Sequence, residues 1–398
     1  MRKDTSATIH VVTDSDNFLR GIFYQSVQMK KMFAAFPELI LVDATYRLNN
    51  VRMPLYVMLI VDGNGQAEIV ALWIVADEDA QTLRQMIRTF KSQNDNSNKI
   101  KCIMADKDMT ERQVMINELP DAHLLICLFH TMRSFRREIS TEKMGITQDQ
   151  RIAVLEIVQK LVYSKDEEDY QRHYMSLLRC ELAVVIEYYN KNWHELRGQW
   201  VEGLKNDHCH FMNRTNNRLE AINQKLKSVI TKSSSIVIFW QDLMKCVNSL
   251  QIERKHRAIQ LQTKVPVFKY ANGSYQQRYQ NHLTPFAFGH MSKQFELSER
   301  LTIIENEQGS YDATSATSKT VCYENTCQCS FFKAMCLPCR HIMACRKFLH
   351  VDWLCVCVRV FVPELCATRW TKEFYFAQYM FSETAVNMHF KTCHTSKL

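Results

Sequence analysis

Apolar residues fall in unbroken runs early in the chain and at helical spacing afterwards. Residues 39–46 (LILVDATY), 54–62 (PLYVMLIVD) and 67–76 (AEIVALWIVA) predict three strands, the continuous runs pointing to burial on both faces. Asp62-Gly63-Asn64-Gly65 is a hairpin signal, so the three strands form a meander. The period then changes to that of a helix over 79–92, with Leu83, Met86, Ile87 and Phe90 on one side. A strand at 100–104 (IKCIM), a helix from 110 carrying Val114, Met115 and Leu119, and a strand at 123–127 (HLLIC) follow. The order β-β-β-α-β-α-β implies an α/β fold, a mixed sheet covered by helices.

Beyond 128 the pattern is helical for a long way. Residues 128–140 are basic and aromatic, and 148–163, 167–192, 217–230 and 235–260 keep helical apolar spacing. Residues 261–283 are polar and aromatic and predict a linker, and 284–306 read as partly helical. After 347 comes a tail with Trp353, Trp370, Phe374 and Tyr375. No stretch reaches the roughly 18 apolar residues of a membrane span. The longest apolar stretch, Trp353 to Val362, is interrupted by Arg359, so no membrane partner is expected.

Composition changes this picture little. Hydrophobic residues make up 46% and charged residues 23% of 398, as in a folded globular chain of two or three domains. A net charge of +8 mildly favours a polyanionic partner. The 15 cysteines are odd in number and scattered, and the opening Met1-Arg-Lys-Asp leads into no apolar signal segment. A reducing intracellular compartment, with the clustered cysteines on metal, is the expectation.

That cluster is the strongest chemical signal. Cys327-x-Cys329 and Cys339-x-His341 offer three thiolates and an imidazole, a set that suits tetrahedral Zn²⁺ with no position left for substrate. Cys339 and His341 are expected to alternate along an extended segment and so to face one way. Cys336 competes as a C-x-x-C partner of Cys339, and Cys322 and Cys345 are weaker candidates. The alternative is a set of buried free thiols.

Two carboxylates sit at telling places. Asp43 interrupts the first apolar run, where a charge is costly unless paired or metal-bound. Asp106 falls just past the fourth strand, which in this element order commonly neighbours the first. Such a pair can hold Mg²⁺ or Mn²⁺, and two such ions support phosphodiester cleavage. The plainer readings are a pairing with a buried Arg or with backbone amides for Asp43 and a helix N-cap for Asp106, unless Asp108 is that cap. A third acid is offered by Glu220 beside the apolar face Leu219, Ile222, Leu226 and Val229, although Asn217 and Glu220 also fit a capping box. Cys127 and His130 form half a metal site that His208, Cys209 or His210 would complete. The plainer alternative is two packed side chains at a strand end. Basic groups at Arg133, Arg136 and Arg137, at Lys225, Lys227 and Lys232, and at Arg254, Lys255, His256 and Arg257 would suit DNA phosphates around the acids, the plainer alternative being solvated helix faces.

The segment 319–346 resembles a SWIM zinc finger, with its C-x-C-x(n)-C-x-H pattern. The strings VDATY, ADKD, CLFH and NNRLEAINQKLK, in this order, resemble motifs of Mutator-like element transposases. Those enzymes carry a DDE triad on an RNase H-like core, often followed by a SWIM finger. Animal zinc finger SWIM domain-containing proteins and plant far-red-impaired-response proteins are similar. The resemblance implies an RNase H-like mixed sheet with a large helical insertion, followed by a small finger. It implies catalytic and Mg²⁺- or Mn²⁺-binding roles for Asp43, Asp106 and Glu220, and assigns the family's C-x-x-H to Cys127 and His130. Ahead of Asp43 there is no Cys or His set beyond His10, where the family often places a DNA-reading zinc module. The implied domains are a lead-in (1–38), the core with insertion (39–260), a connection (261–318), the finger (319–346) and a tail (347–398).

Two functions follow. One is a nuclear DNA transposase cutting and joining phosphodiesters. The other is a domesticated, non-catalytic protein using core and finger to contact DNA or proteins in transcription. A ubiquitin-ligase adaptor is a third reading, without a RING-like cysteine set.

Overall fold

The computed structural model describes residues 7–379 apart from 206–207, 214–216, 232–233, 266, 268, 307–308, 317 and 350–359. Trp353 and Lys232 therefore lie outside the described residues.

The lead-in contributes β1 (Thr8–Thr13), β2 (Leu19–Gln25) and α1 (Val27–Ala35). Then come β3 (Leu39–Thr45), β4 (Leu55–Val61), β5 (Ala67–Val75), α2 (Ala80–Ser92), β6 (Cys102–Ala105), α3 (Met109–Glu118) and β7 (His123–Ile126). They form one seven-stranded sheet in the order β1-β2-β5-β4-β3-β6-β7. The meander is antiparallel, and β3, β6 and β7 run parallel. The first and fourth predicted strands are neighbours: Leu39, Ile40 and Leu41 pair with Cys102, Ile103 and Met104.

Every residue of β4 and β5 is buried, as their unbroken apolar runs require. Alternation then sorts the side chains of β3. Ile40 and Val42 pack with α1, α2 and α3 on one face, while Leu39 and Leu41 join the cluster on the other.

The helical insertion comprises α4 (Leu128–Glu138), α5 (Thr141–Met144), α6 (Gln148–Val162), α7 (Glu167–Leu178), α8 (Ala183–Tyr189) and α9 (Arg197–Trp200). It has its own core around Phe135, Tyr170, Tyr189, Trp193 and Trp200. The single helix expected over 167–192 is two helices and a π turn (Asn190–His194). The chain breaks after α7, where Glu181 adopts φ 53° with no Gly or Pro to announce it.

Returning to the sheet, α10 (Asn217–Val229) and α11 (Ile236–Thr263) cover the Leu39/Leu41 face. Burying Leu219, Ile222 and Leu226 there contributes about 1.5–3 kcal/mol per side chain. The expected linker at 261–283 is partly helical: it holds α12 (Tyr275–His282), capped by Ser274, whose Tyr275 and Tyr279 are buried. After α13 (Pro285–Ser298), a small sheet of β8 (Thr302–Glu305), β9 (Tyr311–Thr314) and β10 (Lys319–Cys322) precedes α14 (Ser330–Met335), α15 (Arg340–Leu349) and α16 (Lys372–Tyr379). The tail is anchored to the core: buried Arg369 pairs with Glu38 and donates to the Val61 carbonyl, and Trp370 Nε1 donates to the Met335 carbonyl at 2.6 Å. No helix among the described residues is long and apolar enough to cross a membrane.

Candidate functional site

Strand parity builds the acid site. Asp43 shares the face of Leu39 and Leu41, and Asp106, one residue past β6, continues the parity of Cys102 and Met104. That face is the one covered by α10, whose Glu220, Asn223, Gln224 and Lys227 recur at helical spacing along a cavity of about 1000 Å³. Asp43, Asp106 and Glu220 all line this cavity. Asn223 ties helix to sheet, its Nδ2 donating to Asp43 Oδ2 at 3.2 Å. Asp108, not Asp106, caps α3 by accepting from the Glu111 amide at 2.8 Å. Asp106 is thereby left to face the cavity.

The carboxylates feel one another. Burial, then the Asp106 and Glu220 charges, push the Asp43 carboxyl up to about 6 against the opposing pull of His130. For His130, burial acts downward, but its contact with Cys127 and the Asp106 and Asp43 charges prevail and raise it to about 9. Its Nδ1 stands 3.9 Å from Asp106 Oδ1, so at neutral pH an imidazolium faces the acids. Glu111 was not anticipated: burial, then Asp43, Asp108 and Asp106, raise it to about 8. It reads as an ordinary first-turn acid, yet it is buried and shares a helical stripe with buried Met115 and Glu118, the signal that could have revealed it.

Several buried oxygens in this region have no hydrogen-bond partner: Thr45 Oγ1, Glu111 Oε1, Glu220 Oε1 and Asn223 Oδ1. Oxygen acceptors left unsatisfied beside three cavity-lining acids fit a hard divalent cation with its waters. Among the described residues the acids form no group as tight as that of the finger.

In the finger, Cys327, Cys329, Cys339 and His341 bring one ligand atom each within 4.8 Å of the others, so this set could hold a metal ion. His341 Nδ1 lies 3.5 Å from Cys327 Sγ and 3.7 Å from Cys339 Sγ. The means differ from the expected alternation. Cys339 immediately precedes α15 and His341 lies in its first turn, so a helix turn, not an extended strand, aims the imidazole back at the thiols. Cys336 does not compete; its sulfur contacts Cys209 at 3.5 Å. Cys322 and Cys345 pack together in the cluster beside the site.

Two other expectations are corrected. Among the described residues Cys127 and His130 belong to no tight group of three or more metal-type ligands; the His208 ring stacks on His123 at 3.6 Å and Cys209 faces Cys336. Nor do all basic groups surround the acids. Arg133, Arg137, Lys227 and Lys107 line the cavity. Arg254 instead pairs with buried Glu68, and Lys225 and Arg257 pair with Glu253. The 254–257 cluster thus serves α11 and a separate cavity with Lys31.

Residues 1–125 match the family model of the zinc finger SWIM domain-containing protein 1/3, RNaseH-like domain. The chain is 21% identical over 203 residues to the uncharacterized human protein ZSWIM9, covering 50% of this chain and 32% of that protein. It is 20% identical over 231 residues to Protein FAR-RED IMPAIRED RESPONSE 1 of Arabidopsis thaliana, covering 57% of this chain and 27% of that one. It is also 23% identical over 238 residues to the PKS-NRPS hybrid synthetase cheA of Chaetomium globosum, covering 53% of this chain but only 5% of that protein. The alignments thus span a third or less of these relatives' own lengths.

Proposed function

We propose that this chain, a relative of the transposase-derived SWIM and far-red-impaired-response proteins, is a nuclear DNA-binding protein whose RNase H-like core cuts and joins phosphodiesters. The observation that carries the reading is the convergence of Asp43, Asp106 and Glu220, from two parallel strands and a helix far along the chain, on one cavity. Mg²⁺ or Mn²⁺ bound by these acids would supply an activated water and a stabilised leaving oxygen. The chain's own residues hold and aim the DNA. Phe129, Arg133 and Arg137 recur every four residues along the cavity-facing side of α4, spaced about 6 Å apart along the helix. Exposed Phe129 offers a stacking face for a base and the two guanidiniums bind successive phosphates. Asn223 fixes Asp43, and the imidazolium of His130 offsets the carboxylate charge until a cation takes its place.

A second reading, a core that binds DNA without cutting it, is favoured by one feature: the acids are less tightly gathered than the finger's ligands. The separating test is nicking of supercoiled plasmid. Wild type should nick with Mn²⁺ and stop on chelation. The Arg133→Glu, Arg137→Glu pair should bind DNA more weakly, with a salt-dependence slope shallower by about two. DNA binding with intact salt dependence but no nicking at any Mn²⁺ concentration would leave only the second reading.

A further inference from the structure

The loop 208–213, which leads toward α10 and Glu220, docks on the finger's helix α14. The Phe211 amide donates to the Ala334 carbonyl at 3.1 Å, and the Arg369 guanidinium lies 3.7 Å from the Phe211 ring centroid. At this seam Cys209 Sγ and Cys336 Sγ stand 3.5 Å apart, both partly exposed. Cys336 occupies the left-handed C-cap of α14, at φ 51° and ψ 46°, where glycine is the unstrained choice. A thiol kept at a strained position, against a second thiol from a distant part of the chain, calls for a role. The zinc-type set does not supply one, because neither sulfur belongs to it.

We infer that Cys209 and Cys336 form a peroxide-responsive dithiol whose oxidation to a disulfide locks the finger to the loop ahead of the Glu220 helix. The sulfurs need only close from 3.5 Å to about 2.05 Å, across a contact already fixed by backbone hydrogen bonding. The contact with Cys336 lowers the Cys209 thiol against burial, with Arg369 and Lys101 helping, so Cys209 is the nucleophile. Its thiolate attacks one peroxide oxygen, the O–O bond breaks, and hydroxide leaves to be protonated to water. The Cys336 sulfur then attacks the resulting sulfenic sulfur; the S–O bond breaks, the second water carries off the remaining proton, and the disulfide forms. The two thiols lose two electrons and the peroxide gains them. This device does not depend on whether the acid cavity cuts DNA.

The full zinc-loaded chain treated with hydrogen peroxide, blocked with N-ethylmaleimide and mapped by peptide mass spectrometry tests the inference. A linked peptide joining Cys209 to Cys336 is expected, with both thiols lost to alkylation, zinc content unchanged and full reversal by dithiothreitol. In Cys209→Ser, Cys336 should remain alkylatable under the same dose. Disulfides among Cys327, Cys329 and Cys339 with zinc release, while Cys209 and Cys336 stay alkylated, would overturn it. So would oxidation of either thiol without the cross-link. The wild-type map decides the matter even if the serine variant fails to fold.

Discussion

Asp43→Asn should lower metal-dependent nicking by about 10³-fold or more while making the metal-free protein more stable. The loss follows from removing one carboxylate of a cation site that contributes several kcal/mol to the transition state, each 1.36 kcal/mol being tenfold in rate. The gain follows from linkage. The Asp43 carboxyl is held at about 6 when folded, against its ordinary value of 3.8, so the folded state binds its proton more tightly than the unfolded state does. Stability therefore falls as pH rises from about 4 to about 6 and stays low above. Asparagine cannot ionise, so at pH 7.5 the variant should be more stable than wild type by on the order of 3 kcal/mol and should melt at a higher temperature. The difference should vanish near pH 3.5. Thermal melts without added Mg²⁺ or Mn²⁺ check this. A variant less stable than wild type at pH 7.5 would mean that Asp43 is a structural ion-pair partner and not a carboxylate reserved for a cation.

The second large effect belongs to the finger. Cys339→Ser with His341→Ala should lose about one zinc per chain and unfold the region around residues 319–349. The reason is size. The cluster directly beneath the site is small (Tyr311, Ala313, Cys322, Ile342 and Cys345), and of the segment's other buried side chains only Met335, Leu337 and Met343 reach the main core, too little to hold the ligand-bearing turns without metal. Structural zinc in finger peptides supplies roughly 10–16 kcal/mol. Metal analysis and limited proteolysis would show it. Unchanged zinc content, or unchanged resistance to protease, would reject the ligand assignment. The seven-stranded core should persist in the variant, because its two faces bury separate clusters that do not include the metal ligands.

The same contrast explains what could be read from residues alone. The five inner and parallel strands were legible because continuous apolar runs admit few other folds. Strands β1 and β2 were not: Ile9 and Val11 on the edge are exposed, and TIHVVT carries no sustained pattern. Helix α12 was hidden among polar residues although the Ser274 cap and the Tyr275–Tyr279 pair marked it. The finger's four ligands were legible from type and spacing, but not the helix that carries His341. Of the residues around the cavity, the three acids stood out by their surroundings, whereas Asn223, which lines it, and Glu111, buried behind it, act through contacts that only folding creates. Basic side chains misled most. Arg254 and Lys225 are spent on Glu68 and Glu253 away from the acids, whereas Arg137, although paired with Glu138, and Arg133 line the cavity, and no local pattern tells these cases apart.

The most direct measurement is a calorimetric titration of Mn²⁺ into the zinc-loaded chain at pH 7.5, with Asp43→Asn alongside. Saturable Mn²⁺ binding by wild type that weakens at least about tenfold in the variant, and that tightens as pH rises through 6, is the expected result, since the cation must displace the proton on Asp43. Identical titrations of the two proteins, or no binding by either, would contradict a cation-holding acid centre.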